Sequence, residues 1–259
     1  MNGLITGITL PFIGTALGAA CVFLMKHNMP SLLQKFLTGF AAGVMVAAAI
    51  WSLLIPSVEM TGKDGFMSVT PAIIGFATGV AFLLLLDEVI PHQHIDTDRS
   101  EGPESHLSRT SKLVFAVTLH NIPEGMAIGV ALAAALGHNA YMPMAGAIAL
   151  SLGIAIQNFP EGAIVSMPFH MAGNSRMKSF LIGTASGMVE PAAAIVTIIF
   201  STLIIPLLPY LLAFAAGAMM YVVVKELIPE TQNGRHSNFG TIGFSVGFLL
   251  MMVLDVLLG

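Results

Sequence analysis

The 259-residue chain is 56% hydrophobic and only 9% charged, with a formal net charge of −4. An average soluble domain is about 25% charged, so this composition argues against an ordinary soluble protein. No basic stripe is present, which argues against a nucleic acid partner. Apolar runs such as Ala72–Leu86 lack the alternation of barrel strands and recur at the length of a membrane-crossing helix. We therefore expect an all-α integral membrane protein whose solvent is the lipid bilayer.

Eight transmembrane helices are predicted, separated by turn signals rich in Gly, Asn and Pro. The spans are 4–25, 35–58, 71–91, 112–136, 143–169, 178–203, 206–230 and 239–258. The separation of the sixth span from the seventh depends on Pro206 and Pro209, which interrupt an otherwise apolar stretch. Residues 1–259 are expected to form a single polytopic membrane domain.

The basic residues orient these helices in the membrane. Nine fall at connections or helix ends on one side: Lys26, Lys35, Arg99, Arg109, Lys112, Arg176, Lys178, Lys225 and Arg235. Only Lys63 falls on the other side. Because positive charge accumulates on the cytoplasmic side, we expect a multi-pass protein of the cell membrane with both termini external.

A polar segment at 92–111 separates the third and fourth spans. It contains His92, His94 and several carboxylates, with almost no apolar content. Such a composition predicts a disordered cytoplasmic loop. His-x-His beside carboxylates could also capture metal loosely, and the alternative is a solvated loop with no metal role.

Two related hexapeptides lie deep inside the fourth and fifth spans: H-N-I-P-E-G at 120–125 and Q-N-F-P-E-G at 157–162. A carboxylate inside a bilayer costs about 2.5–3.5 kcal/mol on insertion scales. The polar residues of each copy share a helix face because they are three or four positions apart. They are His120, Asn121 and Glu124 in the first copy, and Gln157, Asn158 and Glu161 in the second. Imidazole, amide and carboxylate donors together suit Zn²⁺, and also Fe²⁺, Mn²⁺ or Cd²⁺. The alternative is a purely structural clamp of interhelical hydrogen bonds.

The proline and glycine of each motif have their own consequences. Pro123 and Pro160 cannot donate a backbone hydrogen bond, so we expect a kink and a freed carbonyl in the middle of each span. Gly125 and Gly162 should allow a neighbouring helix to approach closely. A cavity lined by irregular backbone is typical of the midplane site of a carrier.

Other candidate residues are weaker individually. Glu190 precedes Pro191 inside the sixth span, so we expect a further kink there and a pore or ligand role for the carboxylate. Acids at helix ends could be functional or merely interfacial, and they are Glu59, Asp87, Glu88, Glu226 and Glu230. Asp255 is expected to be interfacial, and composition alone makes Met45 a packing residue.

At its two motifs the sequence resembles the Zrt/Irt-like protein family, known as ZIP metal transporters. Gln157 in place of histidine, with the I-P-H-x-H run at 90–94, is similar to the bacterial GufA-type branch. The resemblance implies a 3+2+3 arrangement of the eight helices, in which helices 1–3 and 6–8 form an inverted repeat. It also implies a homodimer.

The resemblance further implies a two-metal centre in the fourth and fifth helices. The first metal would be held by His120, Glu124, Gln157 and Glu161, with Met45 from the second helix. The second would be held by Asn121, Asn158, Glu124, Glu161 and Glu190. Glu59 would line the external entrance, and Asp87, Glu226, His92 and His94 the cytoplasmic exit. Lys225 departs from the family pattern, because acidic or imidazole groups are expected near it.

The predicted function is therefore transport of divalent metal ions, Zn²⁺ first, into the cytosol, and the protein is not expected to be an enzyme. No GxxxxGK[ST] motif is present, which excludes an ATP-driven pump of that type. Two alternatives stay open at this point. An intramembrane zinc-dependent hydrolase would need a free general base, and H-E-x-x-H is absent. A metal sensor would bind the ion without moving it.

Overall fold

The computed structural model describes residues 2–24, 30–62, 64–89, 109–137, 142–201, 207–232 and 237–258. Within these ranges the side chains are described except at 109–113, 115, 116, 120, 201 and 258. The described residues form helices and short connections, with no β-strand among them. The expected all-α fold is confirmed.

Eight helices in the described ranges are long and apolar enough to cross a membrane. They are α1 (Asn2–Leu24), α2 (Ser31–Glu59), α3 (Phe66–Val89), α4 (Val117–Leu136), α5 (Met144–Met171), α6 (Arg176–Phe200), α7 (Leu208–Gln232) and α8 (Phe239–Leu257). All eight predicted spans are confirmed. The helix that contains α4 begins earlier, at Arg109, inside the segment expected to be a loop. Helical hydrogen bonding therefore continues beyond the apolar part of the sequence.

The eight helices form an interior and a periphery. Most of the apolar window of α2, α4, α5 and α7 is buried, whereas α3, α6 and α8 bury less than a third of theirs. The peripheral helices expose large apolar side chains such as Leu85, Ile199 and Leu249, which suits contact with lipid tails. The two motif-bearing helices, α4 and α5, thus lie at the centre of the bundle.

Four pairs of parallel helices pack most closely: α1 with α5, α2 with α8, α3 with α7 and α4 with α6. Each pair has glycines facing partner backbone, so the helix axes approach closely. A Cβ atom added at Gly14 would lie 2.0 Å from the Ala155 carbonyl oxygen, and one added at Gly43 would lie 2.1 Å from that of Phe244. A Cβ atom added at Gly79 would lie 2.1 Å from the Phe214 carbonyl oxygen, and one added at Gly125 would lie 2.4 Å from that of Glu190. We call the end of the bundle where α1 begins and α8 ends the terminal end, and the other the distal end.

An inverted repeat relates α1–α3 to α6–α8, and the corresponding helices share short sequence motifs. I-G-T-A-x-G occurs at 13–18 and 182–187, F-A-A-G-x-M at 40–45 and 214–219, and I-G-F-x-x-G at 74–79 and 242–247. Exchanging α1 with α6, α2 with α7, α3 with α8 and α4 with α5 leaves the set of four pairs unchanged. The observed packing is the 3+2+3 arrangement that the family resemblance implied.

The helical pattern changes within two equivalent helices. Residues Ala49–Leu54 of α2 and Val223–Leu227 of α7 are π-helical. Five-residue hydrogen bonds close both segments, from the Ile55 N–H to the Ile50 carbonyl and from the Ile228 N–H to the Val223 carbonyl. Each segment ends at the leucine of an L-I-P sequence whose proline, Pro56 or Pro229, cannot donate to the carbonyl four residues earlier. The repeated proline thus accounts for a repeated widening of the helix.

A third irregularity interrupts α6. Its helix ends at Ser186, passes through Gly187 and Met188, and starts again at Val189. Pro191 lies in the first turn of the second part, where a missing N–H is tolerated. The helix is thus interrupted just before Pro191, and the kink expected there stays a prediction. By contrast, the helices run without interruption through Pro123 and Pro160, so a kink at these prolines stays a prediction.

Candidate metal centre

The polar residues of the two motifs meet in the interior, where α4 and α5 lie against α1 and α6. Four of these side chains are fully buried, namely Asn121, Glu124, Gln157 and Asn158, and so is Glu190 of α6. Glu161 is half-buried. His120 lies on the same helix as Glu124, but its side chain is outside the described part of the structure. Six of the eight predicted metal ligands are thereby brought to one region of the bundle.

Side-chain hydrogen bonds connect these residues across helices. Gln157 Nε2 on α5 donates to Glu124 Oε1 on α4 at 2.8 Å. Asn158 Nδ2 donates to Glu190 Oε2 on α6, also at 2.8 Å. Asn121 Nδ2 donates to the Ser186 carbonyl at 3.2 Å. Each amide thus uses an N–H to fix its position against a neighbouring helix.

The oxygen atoms of the same groups have a different environment. Among the described residues, no hydrogen-bond donor reaches Asn121 Oδ1, Glu124 Oε2, Gln157 Oε1 or Asn158 Oδ1, and all four atoms are buried. A buried acceptor without a partner costs about 1–3 kcal/mol. Amide and carboxylate oxygens are ligands for divalent cations. The arrangement therefore leaves several acceptors suited to a cation, while one N–H of each amide is already used.

Negative charge is concentrated at this point. Glu161 interacts electrostatically with both Glu124 and Glu190. Neither Val117–Leu136 nor Met144–Met171 contains a lysine or arginine. Three carboxylates so close in a low-dielectric interior repel one another strongly, so a divalent cation would stabilise them.

The amides are essential to this interpretation. Within the described residues, no three His, Cys, Asp or Glu side chains by themselves form a group that could hold a metal ion. The described part of the centre therefore provides a mixed set, in which carboxylates supply charge and neutral amides supply further oxygens.

The glycines of the two motifs are at the expected close contacts. A Cβ atom at Gly125 would lie 2.4 Å from the Glu190 carbonyl oxygen, and one at Gly162 would lie 2.1 Å from the Thr15 carbonyl oxygen. The prediction that these glycines allow close helix approach is confirmed. The same contacts bring α6 and its Glu190 against α4, and bring α1 against α5.

Glu190 occupies the first turn of the second part of α6. The free N–H groups of a helix N-terminus favour negative charge, which suits a carboxylate at that position. Thr15 of α1 donates from Oγ1 to Glu190 Oε1 at 3.3 Å. The motifs did not single out Thr15, but the repeated I-G-T-A-x-G sequence would have drawn attention to it.

Met45 is fully buried in the apolar core, on the helix that packs against α5. Its packing with other apolar side chains is what composition alone predicted. A ligand role for its sulfur stays a prediction.

The residues assigned to the pathway lie towards the bundle ends. Glu59 is exposed at the end of α2, on the terminal side. Glu226 is half-buried in the π-helical segment of α7, towards the distal end. His92 and His94 lie outside the described residues, as does the segment up to 108.

Asp87 lies near the distal end of α3 and is only 6% exposed. Lys225 Nζ donates to its Oδ2 at 2.5 Å, and the Tyr221 hydroxyl donates to the same oxygen. At the terminal end, Ser52 Oγ donates to Asp255 Oδ1 at 2.5 Å. The sequence predicted Lys225 as a cytoplasmic-side charge that departs from the family pattern and Asp255 as an interfacial acid, and it predicted neither contact.

The fold and the centre together define a class of protein: a multi-pass helical membrane protein with a buried polar site suited to a cation. Comparison with known proteins gives the same class. Residues 91–255 match the model of the family described as "ZIP Zinc transporter". The chain belongs to the ZIP family, a family of transporters and not of enzymes.

Curated relatives cover nearly all of the chain. It is 36% identical to "Zinc transporter ZIP11" of Bos taurus, over 95% of this chain and 94% of the relative. It is 36% identical to "Zinc transporter ZIPB" of Bordetella bronchiseptica, over 96% of this chain and 79% of the relative. It is 35% identical to "Zinc transporter GufA" of Myxococcus xanthus, over 95% of this chain and 96% of the relative. The resemblance inferred from the motifs is confirmed, including the GufA-type relatives.

Proposed function

We propose that this protein carries divalent metal ions, Zn²⁺ foremost, across the cell membrane into the cytosol, through the centre between α4 and α5. The observation that carries the proposal is a set of four buried oxygens that no donor of the described residues reaches, beside three mutually repelling carboxylates. The three relatives described above are named zinc transporters, which supports the same substrate.

Two adjoining positions for metal are consistent with the hydrogen bonds. Gln157 and Glu124 are already joined, and with His120, Glu161 and Met45 they would hold the first ion. Asn158 and Glu190 are joined in the same way, and with Asn121 they would hold the second. Glu124 and Glu161 would be shared. Three carboxylates and one divalent ion together carry a net charge of about −1, and three carboxylates and two such ions about +1. Either occupancy is therefore electrostatically reasonable.

The ligand chemistry also suits release. Neutral amide oxygens and a limited number of carboxylates bind zinc less tightly than a set of thiolates would. The only cysteine of the chain, Cys21, is on α1 and away from the motifs in sequence. A site that binds moderately allows the ion to enter and to leave, as transport requires.

The direction of the pathway follows from the charge distribution. The positive-inside rule makes the distal end cytoplasmic and the terminal end external. Glu59 then lies at the external mouth, while Asp87, Glu226, His92 and His94 belong to the cytoplasmic exit. An ion entering at Glu59 would pass the centre between α4 and α5 before it reached Asp87.

The test is Zn²⁺ influx into proteoliposomes that contain the purified protein and a zinc-sensitive dye. We expect saturable influx down a Zn²⁺ gradient, and its near-complete loss in Glu124→Gln, which keeps the side-chain volume but removes the charge. Glu88→Gln is the matched control, because Glu88 is an exposed acid at the end of α3. Protein that binds Zn²⁺ but moves none under a gradient would overturn transport and leave a sensor.

A further inference from the structure

Asp87 and Asp255 occupy equivalent positions of the inverted repeat. Each lies eight residues after the second glycine of I-G-F-x-x-G, and each follows a leucine. Asp87 is near the distal end of α3 and Asp255 near the terminal end of α8. The repeat therefore places one carboxylate near each face of the membrane.

The partners of the two aspartates are equivalent as well. Ser52 on α2 and Lys225 on α7 both lie in a π-helical segment, four residues before the proline of L-I-P. Each donates a hydrogen bond of 2.5 Å to its aspartate, and each bond joins the two helices of a closely packed parallel pair. Because both donors lie in the widened segment of their helix, the two hydrogen bonds repeat one structural arrangement.

The two copies differ in charge. Ser52 gives Asp255 a neutral hydroxyl donor, whereas Lys225 gives Asp87 a cation. A buried carboxylate is stable only when it is paired or neutralised, and Asp87 is the more buried of the two. Lys225 is 29% exposed at its side chain, so its ammonium lies at the boundary between Asp87 and the surrounding medium.

We propose that Lys225 is a tethered cation that occupies the place of a divalent metal ion at Asp87. This inference depends on the proposed function for the ion that arrives there. A departing ion displaces the Lys225 ammonium, which can move aside on its flexible stem. The ammonium then returns to Asp87 and displaces the ion. Asp87 is thereby a weak and transient station, and metal does not accumulate at the cytoplasmic end.

A purely structural role for the same ion pair makes a different prediction. If Lys225 only holds α7 against α3, its removal should lower stability without creating affinity for metal. If Lys225 occupies a cation site, its removal should expose that site.

The test measures bound Zn²⁺ and, separately, Cd²⁺ per chain in purified full-length protein after equilibrium dialysis. Lys225→Met should gain about one bound ion relative to the wild type. The gain should vanish in the double variant Lys225→Met with Asp87→Asn, and Lys225→Arg should restore the wild-type value. Ser52→Ala, at the equivalent position of the repeat, should leave the stoichiometry unchanged.

Several results would overturn the proposal. One is a folded Lys225→Met variant with wild-type stoichiometry, and another is a gain that persists without Asp87. Lys225→Gln keeps an N–H donor for Asp87 and provides the same test should the methionine variant not fold. If Lys225→Met and Lys225→Gln both fail to fold while Lys225→Arg folds, the ion pair has a structural role and the proposal is also overturned.

The wild-type measurement separates this inference from the proposed function. If the wild type binds no metal while Lys225→Met gains an Asp87-dependent ion, the transport proposal fails, whereas the cation site at Asp87 that Lys225 occupies is supported. If the wild type binds and transports metal while Lys225→Met gains nothing, the tethered cation fails and transport stands.

Discussion

The α4–α6 pair and the α5–α1 pair are equivalent by the inverted repeat, yet they contribute differently to the metal centre. The first pair provides Glu124 and Glu190, both fully buried. The second provides Glu161, which is half-buried, whereas α1 has Cys21 at the position of the sequence repeat that corresponds to Glu190 in α6. A nearly symmetric backbone thus carries an asymmetric set of charges.

This difference shows that the repeated motif fixes the helix geometry and its variable positions decide the chemistry. Gly125 and Gly162 make the same kind of close contact in both pairs. The acid that meets the motif across that contact is present on α6 only. We therefore expect the α4–α6 side to dominate metal binding and the α5–α1 side to contribute mainly through Gln157, Asn158 and Glu161.

The largest expected effect is that of Glu124→Gln. It removes the charge of a buried carboxylate that Gln157 holds in place, and uptake of Zn²⁺ should fall by at least about 100-fold. Glu161→Gln should also cut uptake sharply but by less, because Glu161 is half-buried. Initial rates in proteoliposomes compare the two variants. A loss in Glu161→Gln that exceeded the loss in Glu124→Gln would break the proposed asymmetry.

The next effect compares the equivalent positions of α6 and α1. Glu190→Gln should weaken Zn²⁺ binding by about 10–100-fold, because Asn158 and Thr15 both hold this carboxylate towards the centre. Cys21→Ser changes the corresponding position in α1 and should leave affinity within about twofold. Isothermal titration measures both. Equal losses in the two variants would mean that the α1 side contributes as much as the α6 side.

The glycine contacts should affect folding more than affinity. Gly162→Ala places a methyl group 2.1 Å from the Thr15 carbonyl oxygen, where backbone has to shift. Overpacking of this kind costs about 1–3 kcal/mol, which thermal melting in detergent detects. Gly125→Ala should have a somewhat smaller effect, because the corresponding distance is 2.4 Å. Gly137→Ala is the control, with its nearest neighbour at 3.4 Å, and a Gly162→Ala variant that melted like it would contradict the close approach.

The smallest effect is expected at the repeated threonines. Thr15→Val removes the hydroxyl that donates to Glu190, and a lost hydrogen bond worth about 1 kcal/mol corresponds to a roughly fivefold weaker affinity. Thr184→Val is the matched control, since Thr184 Oγ1 has no hydrogen-bond partner among the described residues. Titration with Zn²⁺ measures both variants. An equal change in the two would show that Thr15 acts through packing and not through Glu190.

Much of the fold follows from the sequence because the bilayer imposes it. Every backbone group in lipid has to be bonded internally, so each long apolar run becomes a helix. The helix ends follow less closely from the sequence. The third helix, α3, begins at Phe66 and not at residue 71 as predicted, because helical hydrogen bonds continue past the apolar part. The spacing of the polar residues in each motif likewise predicted a shared face, and the structure brings Asn121, Glu124, Gln157, Asn158 and Glu161 together.

The contacts between distant helices could not be predicted from local spacing. Nothing near Asp87 or Asp255 in sequence identifies Lys225 or Ser52 as its partner, since each pair forms only when two helices pack in register. The π-helical segments were also missed, although the duplicated L-I-P sequence marks them. Kinks were expected at Pro123, Pro160 and Pro191, whereas the observed irregularities lie in α2, in α7 and, just before Pro191, in α6.

The most direct test of the central claim is a metal-soaked crystal structure of the wild-type protein with anomalous scattering recorded at the zinc edge. The account predicts a peak between α4 and α5, at about 2.0–2.2 Å from an oxygen of Glu124, with an oxygen of Gln157 or Asn158 among its other ligands. Peaks at the helix ends alone, with no density between Glu124 and Glu161, would contradict it.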